Sequence, residues 1–433
     1  MPGGPLAVLR VTMGHGQPST VAATAGRCRG VRLSPPRPGD EAAWVTRHLG
    51  HLCADEPVPS PRFRGTQAAA DAALAAFDVR GYAARRNVVE PAGGRGASGL
   101  SPWIRHGLLT LPTVWAQVAG GPARDVEKFR DELLWQEYAR HLYDRLGHRL
   151  AAPLRHEPAP PADGGGHGWD RSMRCIEVTL DELERDGWLV NQTRMWLASD
   201  WTVRHGNDWR AGEDHFFTHL LDGSRAANRA GWQWTSGTAT GRPYGFSRRQ
   251  VDKRAPGLCD TCTHRRSCPI ETWPDAPVGR PVELDLLGPQ PDAAGEAGPA
   301  EPVLTGRPEL VWLTAESLGD DDPALSAHPD LPVIFVFDEP LLARLRLSAK
   351  RLVFLAERLA ELAEQRPLEL RLGSPVDELA GHRVAATFTP VPGWRRRSAA
   401  VDVVAQYPWP WLRRPTGRSL RSFSAWNGQR RRS

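Results

Sequence analysis

The chain has 433 residues, enough for two or three domains, and its 40% apolar and 24% charged residues exclude a disordered chain, although 42 glycines and 39 prolines imply long loops. A formal net charge of +5 permits a nucleic-acid partner without requiring one. The longest apolar runs, such as Val333 to Phe337, are far too short to span a bilayer, and no charged-then-apolar leader opens the chain, so the expectation is a monomeric cytoplasmic protein with no membrane partner. Only Lys128, Lys253 and Lys350 are lysine, so the basic charge is arginine, as a GC-rich coding sequence would give. Six cysteines in so long a cytosolic chain read as metal or cluster ligands rather than a disulfide scaffold. The 17 tryptophans are an unusual number to place, because each indole N–H wants a partner when buried.

Residues 1–60 are rich in Gly, Pro, Ala and Arg and read as a flexible leader, with a short helix at Asp40 to Leu49 and an alternative start at Met13. Residues 61–274 read as helical. Thr66 caps a run of helix formers to Phe77; Phe129, Leu133, Leu134, Tyr138, Leu142 and Leu146 recur at helical spacing; and the period resumes from Ile176 to Leu221 before a cysteine-rich stretch. Residues 275–307 read as an acidic Pro/Gly linker. From 308 to 426 the pattern changes: Leu310 to Leu313 and Leu331 to Phe337 read as buried strands, Ser348 to Gln365 as an amphipathic helix, Leu368 to Leu372 and Arg383 to Phe388 as further strands. Strand, helix, strand indicates a parallel sheet. Residues 427–433 close the chain as a basic tail. The fold class is therefore α + α/β, an all-helical domain followed by a small parallel α/β domain.

The segment from Leu220 to Trp234, with Asp222, Ser224, Asn228, Trp232 and Trp234, is preceded by Gly187 to Met195 and by Asp208 to Glu213. Further upstream lie Gly81-Tyr-Ala-Ala-Arg-Arg-Asn87, Ser98-Gly-Leu-Ser-Pro-Trp-Ile-Arg-His-Gly107 and Glu132-Leu-Leu-Trp-Gln-Glu137. Together, and in this order, these motifs closely resemble the FAD-binding helical domain of the DNA photolyase/cryptochrome family, over roughly residues 62 to 250. Leu310 to Leu313, Asp322 to Leu325, Val333 to Asp338 and Ser422 to Trp426 resemble that family's Rossmann-like antenna domain, the last segment closing it. In the family that domain comes first; here it comes last, which implies a circular permutation. Thr314 to Asp320 stands where an arginine-rich turn is usual, so an antenna chromophore is uncertain.

The resemblance implies a U-shaped FAD buried among helices. Tyr82, Ser98, Gly99, Leu100 and Ser101 would serve its phosphates, Asn228 would lie near flavin N5, and Asp222 and Arg194 would pair beside the ring; an ordinary interhelix ion pair is the alternative for those two. Gln136, Ser224 and Phe129 depart from the family's common arginine, aspartate and tryptophan. Trp135 and Trp234 would wall a pyrimidine dimer extruded from DNA, with Glu132 as hydrogen-bonding carboxylate and Asn191 and Met195 lining the pocket; core packing is the alternative for the two tryptophans. Asparagine at 191, where the (6-4) branch generally has histidine, favours a cyclobutane dimer. Trp232 and Trp209 match the first two members of the family's electron relay. Trp169 is a third candidate by type though not by spacing, and Trp201 and Trp188 read as core.

Cys259-Asp-Thr-Cys262 and Cys268-Pro269 give C-x2-C-x5-C-P, which with Cys175 supplies four thiolates. The resemblance is to the family's bacterial iron–sulfur branch and implies a [4Fe–4S] cluster. A structural zinc completed by His264 or Cys175, or plain buried thiols, are the alternatives; Cys28 and Cys53 read as incidental. The leading functional expectation is a photolyase-like lyase, transferring an electron from reduced FAD to a cyclobutane pyrimidine dimer in DNA. A cryptochrome-type photoreceptor without repair activity, and a drifted FAD-binding protein, are the alternatives. The arginines from Arg413 to Arg432 could touch DNA phosphates or remain a solvated tail.

Overall fold

The computed structural model describes residues 30–158, 168–273, 279–290 and 294–428. Cys28, Met13 and the last arginines of the tail lie outside them. The described residues form a helical body and one seven-stranded sheet.

The sheet order is β1 (Val31–Leu33), β5 (Leu368–Gly373), β4 (Val333–Asp338), β3 (Leu310–Leu313), β6 (Val384–Thr387), β7 (Val403–Tyr407), β2 (Val303–Leu304). The central strands β5, β4, β3, β6 and β7 are parallel; β3 and β4 are continuous apolar runs, as strands covered on both faces are, while β5 alternates. The edge strands β1 and β2 pair antiparallel. The order reverses at β3, whose neighbours β4 and β6 lie on either side. The following loop, Thr314 to Asp320, leaves from this switch point.

Three sequence expectations need correction. Residues 30–60 are not a leader. β1 adds to the sheet edge, and α1 (Glu41–Leu49) buries Trp44, Val45 and Leu49 against the Ala349–Gln365 helix, with Trp44 5.7 Å from the Phe337 ring. The described part of 275–307 is not a free linker: Val303 and Leu304 are the β2 edge, and Leu284, Leu286 and Leu287 pack on the long helix of the helical body. The α/β unit does not extend to 426. The sheet ends at Tyr407, and the Phe423–Asn427 helix packs on the helical body instead of closing the sheet. In each case the segment has too few residues to show a period, and its partner is remote in sequence.

In the helical body, α2 (Gln67–Ala76) starts where the Thr66 hydroxyl accepts the Ala69 N–H at 3.2 Å. There follow α3 (Tyr82–Arg85), α4 (Ser101–Arg105), α5 (Leu111–Gln117), the 24-residue α6 (Ala123–Leu146), α7 (Arg174–Asp186), α8 (Asn191–Ser199), α9 (Trp209–His219), α10 (Arg225–Thr235) and α11 (Arg248–Arg254). One apolar core runs from Trp44 and Phe337 through Phe354 to Trp103 and Val114, so sheet and helices share it. The switch-point loop is part of this junction: His106 Nδ1 meets the Ala315 carbonyl at 2.8 Å, and Leu318 N donates to the His106 carbonyl at 3.0 Å. No helix among the described residues is long and apolar enough to cross a membrane.

Candidate functional site

Two turns face each other at the centre of the helical body. Gly187 ends α7 with φ of 68°, where a Cβ would come within 2.9 Å of Leu221 Cγ, so the position demands glycine on both conformational and steric grounds. Leu221 N donates to the Gly187 carbonyl at 2.8 Å. This sets Asp222 opposite Arg194 of α8. Arg194 Nη2 donates to Asp222 Oδ2 at 2.7 Å and Arg194 Nε to the Leu189 carbonyl at 3.0 Å. Ser224 caps α10, its hydroxyl accepting the Ala226 N–H at 3.2 Å. Asn228 is buried one turn further along. Asp222 Oδ1 and Asn228 Nδ2 are buried without a hydrogen-bond partner among the described residues. A buried polar atom left unpaired costs about 1–3 kcal/mol, so an acceptor and a donor at the head of one helix fit a polar, flat ligand such as a flavin.

The Ser98–Ser101 loop is tied to the same turn. Gly99 has φ of 71°, the Ser98 hydroxyl accepts the Leu100 N–H at 3.4 Å, and the Ser101 hydroxyl accepts from Trp188 Nε1 at 2.9 Å. From the helix that follows, Arg105 Nε donates to the Gly223 carbonyl at 2.8 Å, and His106 Nε2 lies 3.1 Å from the Leu221 carbonyl. Arg351 reaches across from the sheet side to the Phe217 carbonyl at 3.1 Å and to the Gly223 carbonyl, and its burial lowers its pKa to about 9. Tyr82 is buried edge-on to Phe129, 4.9 Å away, and burial raises its phenol; Gln136 is half-buried on α6.

The five residues expected to line a lesion pocket come from α6, α8 and α10, with α10 packed on each of the other two, and all five keep solvent access. Asn191 Nδ2 lies 3.6 Å from Met195 Sδ. Trp234 is 39% exposed and 5.8 Å from the Tyr244 ring. Glu132 is held by Lys128 Nζ at 2.8 Å and Arg86 Nε at 3.4 Å. Trp135, also 39% exposed, lies flat on Phe423, with centroids 3.9 Å apart and planes 9° apart. Nothing in the sequence pattern couples those two rings.

Trp232 and Trp209 are both buried, with their indole N–H groups unpartnered among the described residues. The Trp232 ring packs 5.1 Å from Phe216 and lies over Gly212. A Cβ on Gly212 would collide with it and come within 3.0 Å of Trp201 Cδ1 on the other side. Trp201 is in turn 4.6 Å from Trp169. Trp232 and Trp201 thus both border Gly212, and Trp201 leads on to Trp169, a pair sequence spacing did not single out. Gly212 is the residue whose small size lets both indoles pack there.

Cys175, in the first turn of α7, lines one pocket together with Cys259, Cys262 and Cys268, walled by Met173, Leu258 and Ile270. All four are free thiols, and burial raises the Cys175 and Cys259 thiols, the latter to about 12. No three His, Cys, Asp or Glu side chains among the described residues converge closely enough to hold a single metal ion. His264 Nε2 is engaged by the Ser172 hydroxyl at 2.7 Å. The four thiols line this pocket without meeting at a point. Cys53 lies apart, its thiol donating to the Leu49 carbonyl at 3.3 Å.

Residues 172–251 match the FAD binding domain of DNA photolyase. Among curated relatives, the deoxyribodipyrimidine photo-lyase of Synechococcus sp. is 27% identical over 196 residues, covering 42% of this chain and 39% of that protein. An enzyme of that name from Thermus thermophilus is 30% identical over 217 residues, 47% and 50% respectively. Among solved structures, a bacterial class III photolyase from Agrobacterium tumefaciens aligns over 51% of this chain and 46% of that one, at 24% identity and a TM-score of 0.36. An archaeal photolyase from Sulfolobus tokodaii aligns over 52% and 54%, at 20% identity and 0.38. The chain spans about half or less of the length of the curated relatives it matches. The sequence matches support the photolyase/cryptochrome family and FAD as its cofactor. The matched region holds Cys175, Asn191, Arg194, Met195, Trp209, Asp222, Ser224, Asn228, Trp232 and Trp234. Tyr82, the Ser98–Ser101 loop, Glu132, Trp135, Gln136 and the other three cysteines lie outside it.

Proposed function

We propose that this chain is a light-driven, FAD-dependent lyase that splits cyclobutane pyrimidine dimers in DNA. The observation that carries the reading is the turn at Leu220 to Asn228, which sets the Arg194–Asp222 pair and two unpartnered buried polar atoms at one place inside the matched region. FAD, when bound in reduced form, supplies a light-driven electron that is lent to the dimer and returned once the two carbon–carbon bonds of its cyclobutane ring have split. The protein's part is placement and electrostatics. Asp222 and Asn228 would hold the ring system, the Arg194 guanidinium would fix the carboxylate, and the backbone of the Ser98–Ser101 loop would meet the phosphates. The Ser101 hydroxyl accepts from Trp188, which leaves its O–H free to donate to a phosphate oxygen.

Trp135 and Trp234 would stack the extruded bases. Glu132 would offer its carboxylate to them from a position steadied by Lys128 and Arg86. Trp232, Trp201 and Trp169 would pass electrons inward from the surface. Cys175, Cys259, Cys262 and Cys268 would hold a [4Fe–4S] cluster with a structural role, tying the Cys259–Cys268 loop to α7. The order of units, with most of the sheet after the helices, is what a circular permutation produces. With Val31–Leu33 on that sheet and α1 against its Ala349–Gln365 helix, the cut of such a permutation would lie inside the α/β unit.

The test is illumination of anaerobically purified, photoreduced protein with a dimer-containing oligonucleotide. Light-dependent loss of dimer is expected. Flavin that photoreduces while the dimer persists would move the reading to a photoreceptor, an alternative favoured by the cover that Phe423 places on Trp135.

A further inference from the structure

We propose that Phe423 is an internal substitute for a substrate base, so that access to the stacking face of Trp135 is gated by the Phe423–Asn427 helix. The inference rests on the reading of Trp135 as a pocket wall. Parallel stacking at 3.9 Å with 9° between planes is the geometry a nucleobase adopts on an indole, whereas the neighbouring contacts are tilted or edge-on: Trp135 with Tyr138 at 83°, Phe423 with Trp426 at 39°. Phe423 therefore covers one face of the Trp135 ring, and a pyrimidine stacked on that face and Phe423 cannot be there together.

The covering ring sits on a short segment between two anchors. Its far end is anchored: Trp426 is buried, its Nε1 donates to His141 Nδ1 at 3.0 Å, and Arg413 sits over its ring at 4.6 Å. Just before the helix, the Tyr138 hydroxyl donates to the Leu420 carbonyl at 2.7 Å. Of the helix, only Phe423, Ser424 and Ala425 lie between these anchors, and Ser424 and Ala425 are exposed. At the start of the helix, the Phe423 ring contacts Trp135, Tyr138 and Trp426. A base that stacks as well as Phe423 and adds hydrogen bonds displaces it; undamaged, base-paired DNA does not offer one. The gate thus favours bases that leave the helix easily, as those of a dimer do.

The test compares wild-type protein, Phe423→Ala and Trp135→Ala in binding a single-stranded oligonucleotide carrying one thymine dimer, beside the undamaged oligonucleotide. Removing the competing ring is expected to tighten dimer binding by about 2- to 12-fold, the equivalent of one aromatic pair, while Trp135→Ala weakens it. Hydrogen exchange provides a readout independent of affinity: dimer binding to the wild type should speed exchange across residues 423–427. Wild-type binding that is unchanged or weakened in Phe423→Ala, with residues 423–427 protected by the dimer, would overturn the gate and leave the lyase reading standing. Absence of any preference for the dimer in all three proteins would remove the pocket-wall reading, and the gate with it.

Discussion

Asp222→Asn keeps the shape of the side chain and removes its charge. Arg194 then loses its charged acceptor at 2.7 Å but retains the Leu189 carbonyl at 3.0 Å. Breaking a fully buried pair by removing one partner costs about 3–5 kcal/mol. Here the Arg194 side chain is 20% exposed against 7% for Asp222, so water and the retained carbonyl take up part of the loss, and about 2–3 kcal/mol remains. The assay has two arms: the urea midpoint of flavin-stripped protein, and flavin per chain in the purified holoprotein. Both should fall, because the unpartnered Asp222 Oδ1 is a ligand acceptor in this scheme as well as the far side of an ion pair. A variant that loses stability yet keeps a full complement of flavin would show the pair to be an interhelix strut and refute its role beside the cofactor.

Other outcomes follow from the same geometry. Gly212→Ala drives a methyl into the Trp232 ring and against Trp201; a loss of about 1–3 kcal/mol and slower flavin photoreduction are expected, and wild-type values for both would count against the aromatic path. Burial raises the Asp144 carboxyl to about 7 despite the Arg395 guanidinium 3.1 Å away. The folded state therefore holds this proton more tightly than the unfolded chain, so the group's contribution falls as pH rises from about 4 to about 7, by up to about 4 kcal/mol. Asp144→Asn should flatten the stability profile between pH 5 and 8, measured by urea unfolding, and equal slopes in the two proteins would contradict this. Cys262→Ser should lower iron below about four per chain in anaerobically purified protein; zinc in place of iron in the wild type would refute the cluster.

The helical body was legible because its signals are local. A 24-residue helix repeats its apolar positions often enough to be read, Thr66 announces a start, and the Leu220–Asn228 segment carries its chemistry within nine consecutive residues. The buried strands Leu310–Leu313 and Val333–Asp338 were legible because parallel strands covered on both faces are continuously apolar.

What tertiary structure alone decided are the pairings between remote, short segments. Val31–Leu33 and Val303–Leu304 are too brief to show alternation and are strands only because a sheet edge offers them hydrogen bonds. Trp201 reads as core until Gly212 lets both it and Trp232 pack there. The four cysteines were a pattern of spacing until α7 brought Cys175 to the pocket that Cys259, Cys262 and Cys268 line. Phe423 lies flat on Trp135 because Trp426 anchors its helix to α6. Sequence periodicity reports which face of a segment is buried, and motifs report local chemistry. Which remote ring or strand meets that face depends on the three-dimensional path of everything between, and no local period encodes it.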